Sequence, residues 1–395
     1  MKILHTSDWH IGKRLMGRER LDEQSLVLDE ITRVCEAEKV ELVLIAGDIF
    51  DTYTPSAEAE ELFYSKIQTL AGDNRAVLLI SGNHDDGTRL SAVSPLSEKQ
   101  GVYIVGNART PLKVQKSMQD GEKGARKAYP VRSGKGYAVF ENDKGERVFI
   151  STLPYPNEAR FKEAKSELSY IERMKGWMDE GVRENTDNLP SVFMAHIFVV
   201  GGKVSDSERE IDLGGARAIP QDALPKCDYI ALGHLHKKQK MGAGHCYYSG
   251  SPLQYSFDES ADKGVKVFDL NGLGVQDLKD IPLSAGRKLI RLQSETVENA
   301  LDLLDAYKDY LVELTLVLSA PLCTQDAHAL AQKENLVSLL TEIQSDETLS
   351  FESRKGLTDS ELFDSFYKAN YNAEPKAELK ELFLTTLAEV DGGGV

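Results

Sequence analysis

The sequence predicts an α/β protein organised on a parallel-rich sheet, with a smaller unit following it. Three observations carry this. Strand-like and helix-like stretches alternate over residues 2–80 in the order strand, helix, strand, helix, strand, which is the pattern of a parallel sheet and its crossovers. Five apolar runs stop abruptly at residues of ligand type, Asp, Asn or His, and loops at the carboxyl ends of central strands are where α/β proteins place chemistry. At 395 residues the chain also exceeds the usual size of one domain.

Lys2 to Ser7 reads as the first strand, with Asp8-Trp9-His10-Ile11-Gly12 as the loop after it. A helix is expected from Leu21 to Glu38, because Val27, Leu28, Ile31, Val34 and Cys35 fall on one helical stripe. Val40 to Ala46 is a second strand, ending in Gly47-Asp48. Thr54-Pro55 reads as an N-cap followed by a proline at N1, opening a helix to about Leu70. Ala76 to Ile80 is a buried strand that breaks at Ser81-Gly82-Asn83-His84-Asp85-Asp86.

Later strands are expected at Gly101 to Gly106, Gly136 to Phe140 and Arg147 to Ser151, and a polar helix at Glu163 to Glu184. Lys113 to Lys135 holds seven Lys and Arg against Asp120 and Glu122, a candidate phosphate-contacting loop or a plain basic hairpin. Two more apolar runs end in His196 and in Gly233-His234-Leu235-His236. Tyr247 to Phe257 and Lys263 to Leu270 read as antiparallel strands. Beyond a break near residues 281–286, Lys288 to Leu292, Val297 to Tyr307 and Tyr310 to Leu318 form a β-α-β unit, and the chain from Asp326 onward reads as helical and acidic.

Composition, at 41% hydrophobic and 28% charged, allows a substantial core. No apolar segment reaches the roughly 20 residues of a membrane span, and Asp8 interrupts the N-terminus too early for a signal peptide. The expectation is a cytoplasmic protein that makes no use of a membrane. The net charge of −16 is uneven: residues 291–395 hold 8 Lys and Arg against 20 Asp and Glu, which leaves residues 1–290 at only −4. Charge therefore excludes no nucleic-acid partner for the first part. The four cysteines are scattered without a Cys-x-x-Cys pair, and read as buried thiols.

Asp8, His10, Asp48, Asn83, His84, His196, His234 and His236 form the candidate constellation. Hard oxygen donors mixed with imidazoles suit Mn²⁺, Fe²⁺ or Zn²⁺. If the loop segments are extended, alternation puts Asp8 with His10, and His234 with His236, on one side. Two divalent ions would bring four positive charges, of which Asp8 and Asp48 cancel two, leaving a surplus for a phosphodiester. Asp48 has two oxygens with which to bridge the pair. Each residue alone could be turn chemistry; five strands ending the same way argue otherwise. His5, His245 and His328 stay outside the set, and Asp85 and Asp86 read as turn stabilisers.

In order and content, Asp8-x-His10, Gly47-Asp48, Gly82-Asn83-His84-Asp85, Ala195-His196 and Gly233-His234-Leu235-His236 resemble the five motifs of the calcineurin-like metallophosphoesterases. Residues 6–12, 205–209, 229–236 and 248–252 resemble, more closely, the SbcD family of nuclease subunits, the bacterial counterparts of double-strand-break repair nucleases. The resemblance implies a β-sandwich flanked by helices (αββα) over residues 1–280, a small α+β capping domain at 281–355 and a helical C-terminal segment at 356–395 that docks an ATPase. It implies one ion on Asp8, His10, Asp48 and His236, a second on Asp48, Asn83, His196 and His234, and Mn²⁺ as the metal. His84 matches the family's catalytic non-ligand histidine. Asp51 stands where archaeal and eukaryotic relatives carry a histidine, so it is left out of the catalytic set. The implied activity is 3′-to-5′ exonuclease and hairpin-opening endonuclease on double-stranded DNA ends, by a homodimer within a heterotetramer with an SbcC-type ATPase. A phosphoprotein phosphatase or cyclic-nucleotide phosphodiesterase would use the same metal pair and is the alternative. For the C-terminal segment, Leu362, Phe363, Phe366, Tyr367, Leu379, Leu382 and Phe383 are the expected apolar face of a helical pair.

Overall fold

In the computed structural model, residues 1–73, 75–107, 110–112, 114, 128–156, 168–208, 217–343, 358–371 and 374–392 are described. They fall into two compact units, residues 1–318 with 322–342 and residues 319–321 with 343–395.

The first unit is built on two mixed sheets. One runs β13 (Gly274–Pro282), β12 (Gly264–Asn271), β1 (Lys2–Thr6), β2 (Leu42–Ala46), β3 (Ala76–Ile80), β4 (Val102–Val105). Strands β1 to β4 are parallel, and β12 is antiparallel to β1 and β13. The other runs β10 (Gln239–Lys240), β11 (Cys246–Tyr248), β9 (Tyr229–Gly233), β8 (Ser191–His196), β7 (Arg147–Leu153), β6 (Tyr137–Asn142), β5 (Ala128–Gly134). Its centre, β7 to β9 and β11, is parallel.

The sheets face each other. Leu42, Leu44, Leu78 and Ile80 of one pack in a single buried cluster with Phe140, Ile150, Val192 and Met194 of the other. Alternate residues of the first sheet, Val43, Ile45, Val77 and Leu79, pack outward on α1 (Leu21–Ala37) and α2 (Ala57–Ala71). This is why β2 and β3 are apolar at every position, as strands buried on both faces must be. The second sheet is covered by Met174 and Met178 of α5 (Tyr170–Arg183). Each such side chain contributes roughly 1.5–3 kcal/mol by leaving water. The order helix, sheet, sheet, helix is the sandwich the resemblance implied.

Several local expectations change. The N-cap of α2 is Ser56, not Thr54: its side chain accepts from Ala59 N–H, so Pro55 lies before the helix. The strand expected over Tyr247 to Phe257 stops at Tyr248, because Ser251 and Gln254 turn inward to hydrogen-bond the chain at Leu253 and Glu259. Strands β5 and β13 were not anticipated, since edge strands made largely of half-buried or exposed residues need no apolar run. Of the basic segment Lys113 to Lys135, Arg132 pairs with Asp187 at 2.9 Å, while 113 and 115–127 lie outside the described residues, as do 163–167 of the expected polar helix. All four cysteines are free; Cys35 and Cys246 are buried, but Cys323 is exposed, contrary to expectation, and its Sγ caps the helix Thr324–Ala331.

Residues 289–343 carry the expected β-α-β unit: β14 (Leu289–Ser294) and β15 (Leu311–Leu318) are parallel and joined by α6 (Val297–Ala306). A third strand, β16 (Leu336–Ile343), follows α7 (Thr324–Ala331), where only helix was expected. Ala300, Leu304, Val312, Leu314, Leu316 and Leu330 form its core. Leu15 packs with Leu289 and Leu311, which seats this sheet against the loop after β1.

The second unit is the helical pair α8 (Asp359–Tyr371) and α9 (Ala377–Gly392). Phe363 stacks on Phe383 with ring centroids 4.2 Å apart, and Lys380 pairs with Asp364. Phe366, Leu379 and Leu382 are exposed.

Candidate metal centre

Parallel register brings the loops together. Thr6 pairs with Ile45, Ala46 with Ile80, and His196 with Gly233, so the loops after β1, β2, β3, β8 and β9 leave the sandwich at one end. All eight candidate residues meet there, and all are buried. The segments are not extended as the alternation argument assumed. Asp8, His10, Asp48 and His234 have φ of +54°, +44°, +50° and +110°, a region that costs non-glycine residues energy and collects at functional sites. Trp9 and Leu235 still point the other way, into the core. Tight packing leaves no room for side chains at two of the glycines: a Cβ on Gly47 would strike the His196 ring, and one on Gly82 the Asp48 carboxylate.

Two groups of donor atoms emerge. His10 Nε2 lies 3.0 Å from His236 Nε2 and 3.4 Å from an Asp48 oxygen, and Asp8, His10 and His236 each bring a ligand atom within 4.8 Å of the others. On the other side, Asn83 Oδ1 lies 2.8 Å from His196 Nε2 and 3.1 Å from His234 Nδ1, with His196 Nε2 3.3 Å from Asp48 Oδ2. Asp48, Asp8 and His196 form a second such group. Asp48 is thus common to both sides.

The donor chemistry fits divalent ions. His196 Nδ1 donates to the carbonyl of Ala46 at 2.8 Å, which leaves the Nε2 lone pair facing two oxygens. A cation held there would satisfy His196 Nε2, Asn83 Oδ1 and Asp48 Oδ2 together. The electrostatics agree. Burial alone would strip His196 of its proton, yet the charge and hydrogen bond of Asp48, with Asp8, draw it up to about 9. Burial alone would protonate Asp48, but the histidines around it hold its carboxyl well below the usual range. Burial lifts Asp8 to about 6 against the pull of His196 and His236, and pushes His10 down to about 3. The cluster demands positive charge and offers lone pairs to receive it.

His84 lies beside this set, with a ring nitrogen grouped with donor atoms of His10 and Asp48. Its Nδ1 meets the carbonyl of Asp51 at 2.6 Å, its backbone N–H donates to Asp48 Oδ1 at 2.9 Å, and its ring lies edge-on to His10 at 4.6 Å. Asp85 accepts from the N–H groups of Gly82, Ile49 and Phe50, tying the loop after β3 to the loop after β2. Asp86 caps the short helix α3 (Gly87–Ser91). Both are turn stabilisers, as expected. His5 is structural: its Nδ1 bonds Tyr229 Oη at 3.1 Å across the sandwich. His245 and His328 are exposed.

Sequence reasoning missed the groups behind the histidines. Ser207 Oγ and Glu259 Oε1 lie 2.6 Å and 3.4 Å from His236 Nδ1, and the Glu208 carboxylate accepts from His236 N–H at 2.8 Å. For Ser207 and Glu208 the only sequence signal was the resemblance of residues 205–209, which carried no role; Glu259 had none.

The calcineurin-like phosphoesterase family matches residues 1–238. The chain is 32% identical to the SbcD component of the SbcCD nuclease from Bacillus subtilis over 411 aligned positions, covering 99% of each protein. It is 33% identical to the corresponding SbcD protein of Rhodobacter capsulatus, covering 75% of this chain and 72% of that one, and 32% identical to that of Staphylococcus epidermidis, covering 73% and 71%. Likeness that runs the full length of a relative takes in the three-stranded sheet and the helical pair as well as the sandwich. The chain belongs to the calcineurin-like phosphoesterases and, within them, to the SbcD family of nuclease subunits, which makes it a metal-dependent phosphodiester hydrolase.

Proposed function

We propose that this chain cuts DNA at ends and hairpins as the nuclease subunit of an ATPase-partnered complex. Asp8, His10, Asp48 and His236 hold one divalent ion, Asp48, Asn83, His196 and His234 the other, and Mn²⁺ is the metal. The observation that carries the reading is a single Asp48 oxygen placed 3.4 Å from His10 Nε2 and 3.3 Å from His196 Nε2. The chemistry such a pair supplies is an activated water and a clamp on the in-line displacement at phosphorus.

The chain's own residues do the rest. Asn83 contributes an oxygen without a charge, which spares positive potential for the phosphodiester. The Asp51 carbonyl holds His84 by Nδ1, so that its other nitrogen meets the phosphate and, when protonated, gives its proton to the leaving oxygen. Ser7 donates to Asp8 Oδ2 at 2.5 Å and leaves the other Asp8 oxygen to the N–H of His234, which fixes the carboxylate between the loops.

The action on duplexes is 3′-to-5′ exonuclease with an endonuclease on hairpins. The complex is a heterotetramer with two copies of this chain and an SbcC-type ATPase in the cytoplasm; no helix among the described residues is long and apolar enough to cross a membrane. Residues 281–355 cap the nuclease domain 1–280. Residues 356–395 dock the ATPase, with exposed Phe366, Leu379 and Leu382 as the contact face. The test compares turnover of free duplex, end-blocked duplex, hairpin DNA, a phosphopeptide and a cyclic nucleotide, with and without the ATPase, in Mn²⁺ and Mg²⁺. Mn²⁺-dependent cleavage of hairpin and free ends is the expected result; faster turnover of the phosphopeptide or cyclic nucleotide would replace DNA as the substrate.

A further inference from the structure

His10 and His236 are each backed by a carboxylate, and each carboxylate is backed by a lysine. Asp51 Oδ1 lies 3.3 Å from His10 Nδ1 and 3.0 Å from Lys13 Nζ. Glu259 Oε1 accepts from the hydroxyl of Ser207, whose oxygen lies 2.6 Å from His236 Nδ1. Glu259 Oε2 meets Lys263 Nζ at 2.5 Å, and the same ammonium donates to the His236 carbonyl at 3.1 Å. The two histidine rings also rest edge-on against one tyrosine, Tyr255, at 5.6 Å and 5.7 Å between centroids.

The hydrogen-bond chemistry has one consistent solution. Ionised carboxylates only accept, so the Asp51 carboxylate 3.3 Å away favours the proton on Nδ1 of His10 by its charge, without a formed hydrogen bond. Ser207 donates its proton to Glu259 and so accepts from His236 Nδ1–H. Both imidazoles then present a bare Nε2, and these two atoms lie 3.0 Å apart. On the other side of the centre the same task falls to the main chain, since His196 Nδ1 donates to the carbonyl of Ala46.

We propose that Asp51 and Glu259 are positioning residues that set the tautomers of His10 and His236, and thereby govern one metal position and not the other. Neither touches the reacting atoms. Lys13 and Lys263 hold the two carboxylates in place by ion pairs, and Ser207 is the link through which Glu259 acts. This rests on the two-metal reading above. Loss of an outer partner of this kind costs roughly 10- to 100-fold in metal affinity, and here the loss should fall on a single ion.

The test is calorimetric titration of Mn²⁺ into metal-stripped full-length chain, with the apo melting temperature and Mn²⁺-dependent hairpin cleavage measured alongside. Wild type is expected to bind two ions. Asp51→Ala and Glu259→Gln should each weaken one ion roughly 10- to 100-fold, leave the other unchanged, and regain cleavage in excess Mn²⁺. Asp51→Asn should fall between wild type and Asp51→Ala, because an amide oxygen keeps a partial negative charge facing Nδ1. Should Glu259→Gln fail to fold, the pair Glu259→Gln with Lys263→Met removes the stranded ammonium, and the part-exposed Asp51 variants carry the test by themselves. Two unaltered ions in the folded variants, equal weakening of both, or lost cleavage that excess Mn²⁺ does not restore would overturn the assignment. A wild type that binds no pair of ions would instead defeat the metal reading on which it rests.

Discussion

The two sides of the His and Asp cluster are built from different materials. The side with His10 and His236 leans on charged side chains, Asp51, Glu259, Lys13 and Lys263, brought in from three stretches of the chain. The side with His196 leans on a backbone carbonyl at the end of β2 and on a neutral amide, Asn83. The first can be tuned, and broken, by substitution. The second is as durable as the sheet itself, because no substitution removes a carbonyl. Asp48 lies close to both, and His84 sits against Asp48 and His10.

That contrast can be broken in graded steps. Asp48→Ala should have the largest effect: with the shared carboxylate gone, both ions should be lost on gel filtration and hairpin cleavage should fall to background, as read by metal content and a gel assay. An Asp48→Ala protein that retained two ions and cut DNA would remove the bridge from the account. His84→Ala should keep both ions while cleavage drops by roughly 10²- to 10⁴-fold, the range for a missing acid–base group. If it bound fewer ions than wild type, His84 would be a ligand. Asn83→Ala should weaken binding on the His196 side alone by at least the roughly 10- to 100-fold of an outer partner. Equal loss at both ions in the same titration would mean that the sides are not separable.

The smallest effect lies beneath both sides. His5 is on β1, which leads into Asp8 and His10, and it bonds Tyr229 on β9, which leads into His234 and His236. Burial, only partly offset by the Leu232 backbone, takes its pKa from the ordinary 6.5 down to about 3. Its folded pKa is therefore depressed, so below pH 6.5 the unfolded chain binds a proton that the folded one refuses. This contribution is absent above pH 6.5 and grows as pH falls toward 3. At pH 5 it costs wild type about 2 kcal/mol, which His5→Gln should not suffer. Urea melts of both apo proteins at pH 7 and pH 5 should show the stability gap between them moving by that amount; an unchanged gap would mean that the buried ring takes up its proton.

Much of this was legible before any coordinates. Strands β2 and β3, buried at all five positions, leave no reading but a central strand, and ligand-type residues just past such runs have no place in a core. The β-α-β unit of β14, α6 and β15 was equally plain. Strands β13 and β16 were not, because their residues are mostly exposed or half-buried and an edge strand needs no apolar run. The left-handed backbone at Asp8, His10 and Asp48 has no sequence signal either, since Asp and His in a turn look the same at either sign of φ. Asp51 and Glu259 were ordinary acidic residues until the fold set them beside imidazoles.

Sequence alone determined which side chains gather at the end of the sandwich, because apolar runs must be buried and their polar ends cannot follow them in. Only the tertiary structure decided what each of those side chains faces. Packing of one sheet on the other places His196 under the Ala46 carbonyl, and the returning chain after β11 carries Glu259 and Lys263 back to His236. Tautomers, and the division of the cluster into a charged side and a main-chain side, depend on distances of a few ångströms between residues far apart in the chain. Those distances are set by strand register and packing, which no local stretch of sequence contains.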